Sequence, residues 1–529
     1  MSSLLVADKT LLDQLLEEQQ TVAPAEKFAQ MHEDEILGNT EQYRELIPLS
    51  KPSKNEQYAF QVNIDQCTGC KGCVTACHSL NGLDKEEAWR DVGMLYGGDK
   101  EAPHIQTVTT ACHHCIDPGC LNGCPVEAYE KDPITGIVAH LDDQCIGCQY
   151  CVLKCPYDVP KYNQSKGIVR KCDLCQNRLA IGEAPACVQA CPNEAIQITL
   201  VDVDQITSEL KENGDFLPGT PDPSYTIPST QYKSKNRLPD NLKAADFNHL
   251  KAENSHMPLV IMLTLTQICV GLFVGDTILR LNDKASSTLL IILSTIIGFI
   301  GLGASFIHLG QPLKAWRFFL GLKRSWLSRE ILAFNLFIPS MLGLVLALHY
   351  ESRLDFVNER NLLFLSIATS VTGLISVFCS VMIYHDTKRI FWNIKFSGLR
   401  FFGTTALFAF VAYSFFIDPT SPIGPICLII TATIKFGLEA SLFKHLKDHD
   451  TNPLKKTALI SQRIFPKTSL ARFGFLLLGG IMLPTFALIN MDAYLTIISM
   501  STFFLLIGEL VERYLFFTTV SAPKMPGNI

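Results

Sequence analysis

Sixteen of the 19 cysteines in this 529-residue chain fall between Cys67 and Cys191, whereas every long apolar run lies beyond His256. The sixteen form four groups: Cys67-x2-Cys70-x2-Cys73-x3-Cys77, Cys112-x2-Cys115-x4-Cys120-x3-Cys124, Cys145-x2-Cys148-x2-Cys151-x3-Cys155 and Cys172-x2-Cys175-x11-Cys187-x3-Cys191. Such density means either a disulfide framework in an oxidising compartment or thiolate ligands in a reducing one. Met1-Ser2-Ser3-Leu4-Leu5 runs directly into Asp8 and Lys9, with no basic n-region, apolar h-region or twin arginine. The expectation is a cysteine domain kept reduced, with its thiolates on metal.

Spacing selects the metal. Two-residue gaps turn successive sulfurs towards one centre, and the more distant cysteine, before a proline in three of the groups, points to a neighbour. The first and third groups match the run in which three close cysteines wrap one iron–sulfur cubane and the fourth reaches the next. The second and fourth keep this logic with a longer interval before the third cysteine. Sixteen thiolates suffice for four [4Fe–4S] clusters, and a row of clusters is an electron conduit. A four-cysteine zinc site takes two CxxC pairs and leaves triplet-plus-one groups unexplained. Lys154, Lys161, Lys166, Arg170 and Lys171 surround the third and fourth groups, either raising cluster potentials and docking an acidic partner or standing in solvent.

The chain divides accordingly. Residues 1–56 are an N-terminal extension in which Leu11, Leu12, Leu15 and Leu16, then Phe28 and Met31, predict two short amphipathic helices. Residues 57–204 form an α+β, double-ferredoxin-like domain with short strands at 58–64, 136–141 and 195–199. Residues 205–256, with Pro218, Pro221, Pro223, Pro228 and Pro239, form an extended linker with no core of its own. Residues 257–517 are an all-α polytopic membrane bundle and 518–529 a tail. Its apolar segments, at 257–279, 288–311, 331–350, 362–384, 400–417, 423–443, 473–493 and 494–517, mostly approach the ~20 residues that cross hydrocarbon. A net charge of −6 excludes nucleic acid as a general partner.

Basic residues orient the bundle. Lys314, Arg317, Lys323, Arg324 and Arg329 follow the second segment, and Lys388, Arg389, Lys395 and Arg400 the fourth. Lys444, Lys447, Lys455, Lys456, Arg463, Lys467 and Arg472 follow the sixth, against Arg280, Lys284, Arg353 and Arg360 in the opposite loops. This asymmetry places the cysteine domain and both termini on the cytoplasmic side of an inner membrane.

His308, His349 and His385 all stand at segment ends, so paired axial ligands are missing and no haem is expected. The carrier within the membrane is then a quinone, menaquinol or ubiquinol in its reduced form. Intramembrane ionisable groups default to function. They gather at one end: His308, Glu330, Lys435, Glu439, Glu509 and Arg513. A quinol loses two protons with two electrons, and an imidazole beside a carboxylate, His308 with Glu330, accepts them. Lys435 with Glu439 reads as an i, i+4 pair, or with Glu509 as a proton path. Cys269, Cys379 and Cys427 read as packing residues.

These motifs carry a resemblance. CTGCKGCVTAC, CHHCIDPGCLNGCP, CIGCQYCVLKCP and KCDLCQNR…CVQACP resemble the four-cluster subunit of dimethyl-sulfoxide-reductase-type molybdoenzymes. ASFIHLGQPLKAW, LSREI and GELVERYLFF are similar to the eight-helix anchor of the same complexes. The resemblance implies four ligand sets: Cys67, Cys70, Cys73 with Cys191; Cys172, Cys175, Cys187 with Cys77; Cys112, Cys115, Cys120 with Cys155; and Cys145, Cys148, Cys151 with Cys124. It implies quinol contacts for His308 and Glu330, and a separate molybdopterin-containing catalytic partner acting on an S- or N-oxide, nitrate or a related oxoanion. The chain would then be a non-catalytic electron-transfer and anchor subunit, here fused where the family makes two chains. Reverse flow from a formate- or hydrogen-oxidising partner to quinone is the first alternative, and a proton-translocating redox module the second.

Overall fold

The computed structural model describes residues 43–527 apart from 86, 213, 215, 283, 285–286, 351–357 and 417–420. Both helices expected in the N-terminal extension lie outside the described residues. Its last stretch packs onto the cysteine domain, with Tyr43 and Leu46 buried in that core.

The strands are β1 (Glu56–Asn63), β2 (Asp91–Gly98), β3 (Pro103–Thr110), β4 (Tyr129–Lys131), β5 (Val138–His140), β6 (Lys161–Asn163), β7 (Ile168–Arg170), β8 (Ile196–Asp202), β9 (Gln231–Lys233) and β10 (Lys243–Ala244). They make small sheets ordered β8-β1-β9, β10-β2-β3, β4-β5 and β6-β7. β1 is central and mostly buried, and pairs antiparallel with β8 from Glu56↔Asp202 to Val62↔Ile196. Its other edge takes β9 in parallel. The β2–β3 hairpin was not legible as strands because Gly93, Gly97 and Gly98 dilute its pattern. Short helices lie within the cysteine groups: α1 (Gly72–Leu80), α2 (Gly119–Gly123), α3 (Tyr150–Lys154), α4 (Gln176–Ala180) and α5 (Ala186–Gln189).

The linker is more than a connector. It opens with α6 (Val203–Glu212), whose Ile206 and Leu210 are buried, and contributes β9 and β10 to the two larger sheets. Phe216, Leu217 and Leu242 join the domain core. Prolines hid these short pieces, since each is completed only by pairing with a distant strand.

Among the described residues eight helices are long and apolar enough to cross a membrane: α7 (Met257–Leu281), α8 (Thr288–His308), α9 (Trp326–Tyr350), α10 (Glu359–His385), α11 (Ile394–Phe416) and α12 (Ile423–Lys447), then α14 (Pro466–Ile489) and α15 (Tyr494–Thr518). A polar-faced helix, α13 (Pro453–Arg463), lies between α12 and α14. The most buried is α7, which packs on α8, α10, α11 and α15. The fifth span is 23 residues long, starting six residues before the apolar run at 400. Lys395 and Arg400 break its hydropathy, yet Arg400 turns inward to a carboxylate and the helix continues through it.

After α15 the chain turns back onto the cysteine domain. Met525 enters the domain core, and a Cβ on Gly93 would strike the backbone of Pro526 and Gly527. The tail therefore clips domain and bundle together.

Candidate functional site

Each cysteine group opens with the same backbone device. The residue before the second cysteine is left-handed: Gly69 (φ 74°), His114 (φ 40°), Gly147 (φ 68°) and Leu174 (φ 62°). Such reversals aim successive N–H groups into a concavity suited to an anionic cluster. A second device follows each Cys-Pro: Glu127 (φ 52°), Asp158 (φ 55°) and Glu194 (φ 51°) are also left-handed. After two of these turns, the N–H of Ala128 donates to Cys124 Sγ and that of Ala195 to Cys191 Sγ, each at 3.2 Å. Gly147 and Leu174 donate to Cys145 and Cys172, each at 3.4 Å.

The sixteen thiols gather into four sets. Cys112, Cys115, Cys120 and Cys155 line one cavity of about 370 Å³. Cys67, Cys70, Cys73 and Cys191 line another of about 320 Å³. Cys77 has Cys175 and Cys187 as charge neighbours, and Cys172 has Cys77 and Cys175. Cys124, Cys145, Cys148 and Cys151 are likewise mutual neighbours. Four thiolates per set are what one cubane needs. Among the described residues the buried Nε2 atoms of His113 and His114, in the wall of the first cavity, have no hydrogen-bond partner. Donor chemistry, N–H···S bonds and unmatched polar atoms therefore fit iron–sulfur clusters.

Two buried cations sit between sets. Lys171 donates to Cys112 Sγ at 3.5 Å and to the carbonyl of Cys172 at 2.8 Å, bridging the second and fourth groups. Arg90, which sequence reasoning missed, donates to Thr109 at 3.1 Å and has Cys73, Cys77, Cys172 and Cys187 as charge neighbours. Of the basic residues noted in the sequence, Lys154 and Lys171 are buried and only 4% and 2% exposed, which removes the solvated reading for these two. Arg170 pairs with Glu87 at 3.0 Å, and Lys161 with Asp158 at 2.7 Å.

The set of Cys124, Cys145, Cys148 and Cys151 rests on the bundle. His308 ends α8 with the Cys148 backbone in hydrogen-bonding reach of its imidazole, and Leu309 packs into the core that holds these cysteines. A Cβ on Gly310 would strike the carbonyl of Gly167, and one on Gly147 would strike it from the other side. Gln311 donates from its backbone to the carbonyl of Ile146 at 3.0 Å. The approach to Glu330 docks on the same set: Gly321 N donates to Pro125 O at 3.0 Å, Ser325 to Gly123 O at 2.7 Å and Ser328 to Pro125 O at 3.3 Å. Glu330 is buried in α9 and accepts from Ser380 of α10. His308 instead faces His256, ring centroids 5.3 Å apart. Burial, with help from His308 and Arg389, pushes His256 down to about 4. Asp386 pins the junction, accepting from Lys154 at 2.7 Å, from Tyr150 at 3.3 Å and, through its carbonyl, from Tyr225 at 2.9 Å. Burial lowers the Lys154 ammonium, and Asp386 opposes this. Ser380, His256 and Asp386 carry no motif, and their partners are too distant in sequence to have been inferred.

The other intramembrane charges form a separate network. Lys435 pairs with Glu509, not with Glu439. Glu439 is held by Arg472 at 2.6 and 2.8 Å, and Arg472 also reaches Glu509 at 3.0 Å. Arg400 faces Glu512 at 3.6 Å, and Arg513 reaches Gln267 at 2.8 Å. The expected i, i+4 pair gives way because α14 and α15 bring stronger, bidentate partners. Asp276, in the opposite half of α7, accepts from Arg280 at 3.0 Å and Ser366 at 2.6 Å, so the ionisable groups are not confined to one end. Cys269 packs against Met341, as a core residue does.

Residues 104–200 match the 4Fe-4S dicluster domain, and residues 251–519 match the DMSO reductase anchor subunit (DmsC). The second match alone spans just over half of the sequence. The protein belongs to the DMSO reductase anchor family. Its iron–sulfur part is 37% identical over 187 residues to the B subunit of anaerobic dimethyl sulfoxide reductase from Escherichia coli strain K12, covering 34% of this sequence and 88% of that protein. Hydrogenase-2 operon protein HybA of Escherichia coli O157:H7 is 34% identical over 194 residues, 32% of this sequence and 58% of that protein. The formate dehydrogenase-O iron-sulfur subunit of Escherichia coli strain K12 is 32% identical over 191 residues, 32% of this sequence and 63% of that protein. The protein is thus an iron–sulfur electron-transfer unit fused to a multi-pass membrane anchor of the dimethyl-sulfoxide-reductase type.

Proposed function

We propose that this protein oxidises a membrane quinol, menaquinol or ubiquinol, beside His308 and Glu330 and sends the electrons through four [4Fe–4S] clusters to a separate molybdopterin-containing subunit. That partner reduces an S- or N-oxide, nitrate or a related oxoanion. The observation that carries this reading is the shared dock: the His308 turn and the approach to Glu330 both seat on the set formed by Cys124, Cys145, Cys148 and Cys151. Clusters held there supply one-electron steps towards the partner. The His308 imidazole and the Glu330 carboxylate take the two hydroxyl protons, with Ser380 holding Glu330 in place. Lys171 and Arg90, between successive sets, favour added electrons by their charge. At the far end Cys70 is exposed, which suits an exit to a docked partner.

Sidedness rests on charge. The turns after α8, α10 and α12 carry the basic residues and lie on the end that bears the cluster domain, which supports that domain facing the cytoplasm across an inner membrane. The relatives from hydrogenase and formate dehydrogenase systems favour a second reading, electron delivery to quinone. Very low potentials at all four clusters select it, and values spread towards the quinone couple select quinol oxidation.

The test is quinol-driven cluster reduction in the intact protein. His308→Ala and Glu330→Gln each slow it by about 100-fold or more, the scale of a lost general base, while iron content and dithionite-reduced signals stay at wild-type levels. An unchanged rate in both variants rejects the assignment.

A further inference from the structure

A second site is built where the cluster domain meets the bundle. Two turns that leave membrane spans at the same end, Thr387–Ile390 after α10 and Ser521–Lys524 after α15, and the start of α13 at Asn452–Lys456 face the linker around Asp222 and Phe247 across a cleft of about 1610 Å³. Among the described residues four cations line it, Lys388, Arg389, Lys456 and Lys524, against two carboxylates, Asp222 and Asp246. Lys524 is taken by Asp246. Asp222 is the other lining carboxylate, so positive charge stays in excess.

Arg389 is the informative residue. It is only 7% exposed, its Nε has no hydrogen-bond partner among the described residues, and its guanidinium lies 4.8 Å from the Trp392 ring. Glu253 and Asp158 are near enough to feel its charge, yet neither forms an ion pair with it among the described residues. The Lys456 ammonium lies 4.0 Å from the Phe247 ring centroid. The chain turns left-handed at Lys388 (φ 59°) to shape this basic corner. A charged N–H buried without an acceptor carries an uncompensated desolvation cost, which an acceptor from outside the chain would relieve.

We propose that this cleft binds a phosphate group, and that its occupant is the headgroup of an anionic phospholipid. Depth argues for the lipid: the anchor walls are the turns that close α10 and α15 and the start of the short helix α13 that follows α12, all near span ends, where headgroups lie, and Phe247 and half-exposed Ile390 offer apolar contact beside the cations. Basic pockets between spans at this level are where anionic headgroups bind. Seated there, the lipid bridges the linker to the α10 turn and the start of α13 and fastens the cluster domain to the anchor.

The test uses the full-length protein, delipidated in a non-ionic detergent and transferred to phosphatidylcholine nanodiscs with or without phosphatidylglycerol. Native mass spectrometry is expected to retain phosphatidylglycerol, and a titration to show saturable binding weakened about tenfold or more in the R389Q/K456Q double variant, as two cations lost at headgroup depth imply. R389K keeps the charge and stays close to wild type, and unchanged iron content in every variant shows that the fold survives. Inorganic phosphate alone is expected to bind more weakly than the phospholipid. Equal binding of phosphatidylglycerol by wild type and R389Q/K456Q, or no preference over phosphatidylcholine, overturns the site. Saturable phosphate binding without any gain from the phospholipid overturns the lipid as occupant.

Discussion

Lys171 donates to a cysteine sulfur of one set and to the carbonyl of a cysteine in the next, so its charge acts on both. A cation fixed in a site of low dielectric stabilises the electron-rich state of a nearby cluster. Lys171→Met is therefore expected to lower the potentials of the neighbouring clusters by at least about 60 mV, the one-electron equivalent of a tenfold change, read by redox titration with paramagnetic resonance. Potentials within error of wild type would show that the ammonium is screened. His256 gives a pH signature. Its neutral form is favoured in the fold, where it falls from 6.5 to about 4, while in the unfolded chain it titrates normally. Protons thus bind the unfolded state more readily. Stability from this residue is complete above about pH 6.5 and is lost as pH falls towards 4. His256→Gln is expected to flatten that part of the stability–pH curve, measured by thermal unfolding, and an unaltered slope would assign the dependence elsewhere.

At the scale of elements, the junction depends on backbone touching backbone. Gly147 and Gly167 sit in turns with φ of 68° and 65°, and Gly310 meets Gly167 where α8 ends. A side chain at Gly310 has only carbonyl and Cα atoms to displace, so Gly310→Ala is expected to cost about 1–3 kcal/mol at this contact, as overpacking does. Its predicted consequence is slower electron entry from quinol with all clusters still assembled. Wild-type transfer kinetics in G310A would mean that the two parts are held chiefly elsewhere. This contact also marks the limit of what the sequence disclosed. The thiol spacing is local, so the four groups were legible, though not the left-handed turns at residues such as His114 and Leu174; the spans were legible because lipid demands length and apolarity. Ser380 and Asp386 were not, because each acts through residues scores of positions away, and Arg90 was not, because it stands outside the cysteine groups and meets them only in the fold. Lys435 and Glu439 illustrate the same point: neighbours on one helix suggested a pair that α14 and α15 then outbid.

Over the whole molecule, a line of cysteine sets leads from the bundle to the exposed Cys70. The set beside His308 is followed by Cys112, Cys115, Cys120 and Cys155, then across Lys171 by Cys172 and its partners, then across Arg90 by Cys67, Cys70, Cys73 and Cys191. Fusion and the returning tail hold this line to one anchor, so electrons cannot be lost to exchange of subunits. The intramembrane ion pairs of α11, α12, α14 and α15 tie together the spans that carry neither His308 nor Glu330. Each carboxylate there has a cation at hand, which suits a clamp. The central claim is that quinol electrons enter at the set beside His308. Anaerobically purified protein, mixed with a menaquinol analogue and followed by freeze-quench paramagnetic resonance, tests it most directly. The account predicts about sixteen irons per chain and reduced [4Fe–4S] signals that grow with quinol oxidation, both the growth and the oxidation being lost in His308→Ala. Clusters that remain oxidised in the wild-type protein while quinol is present in excess, or that are reduced equally fast in His308→Ala, would contradict it.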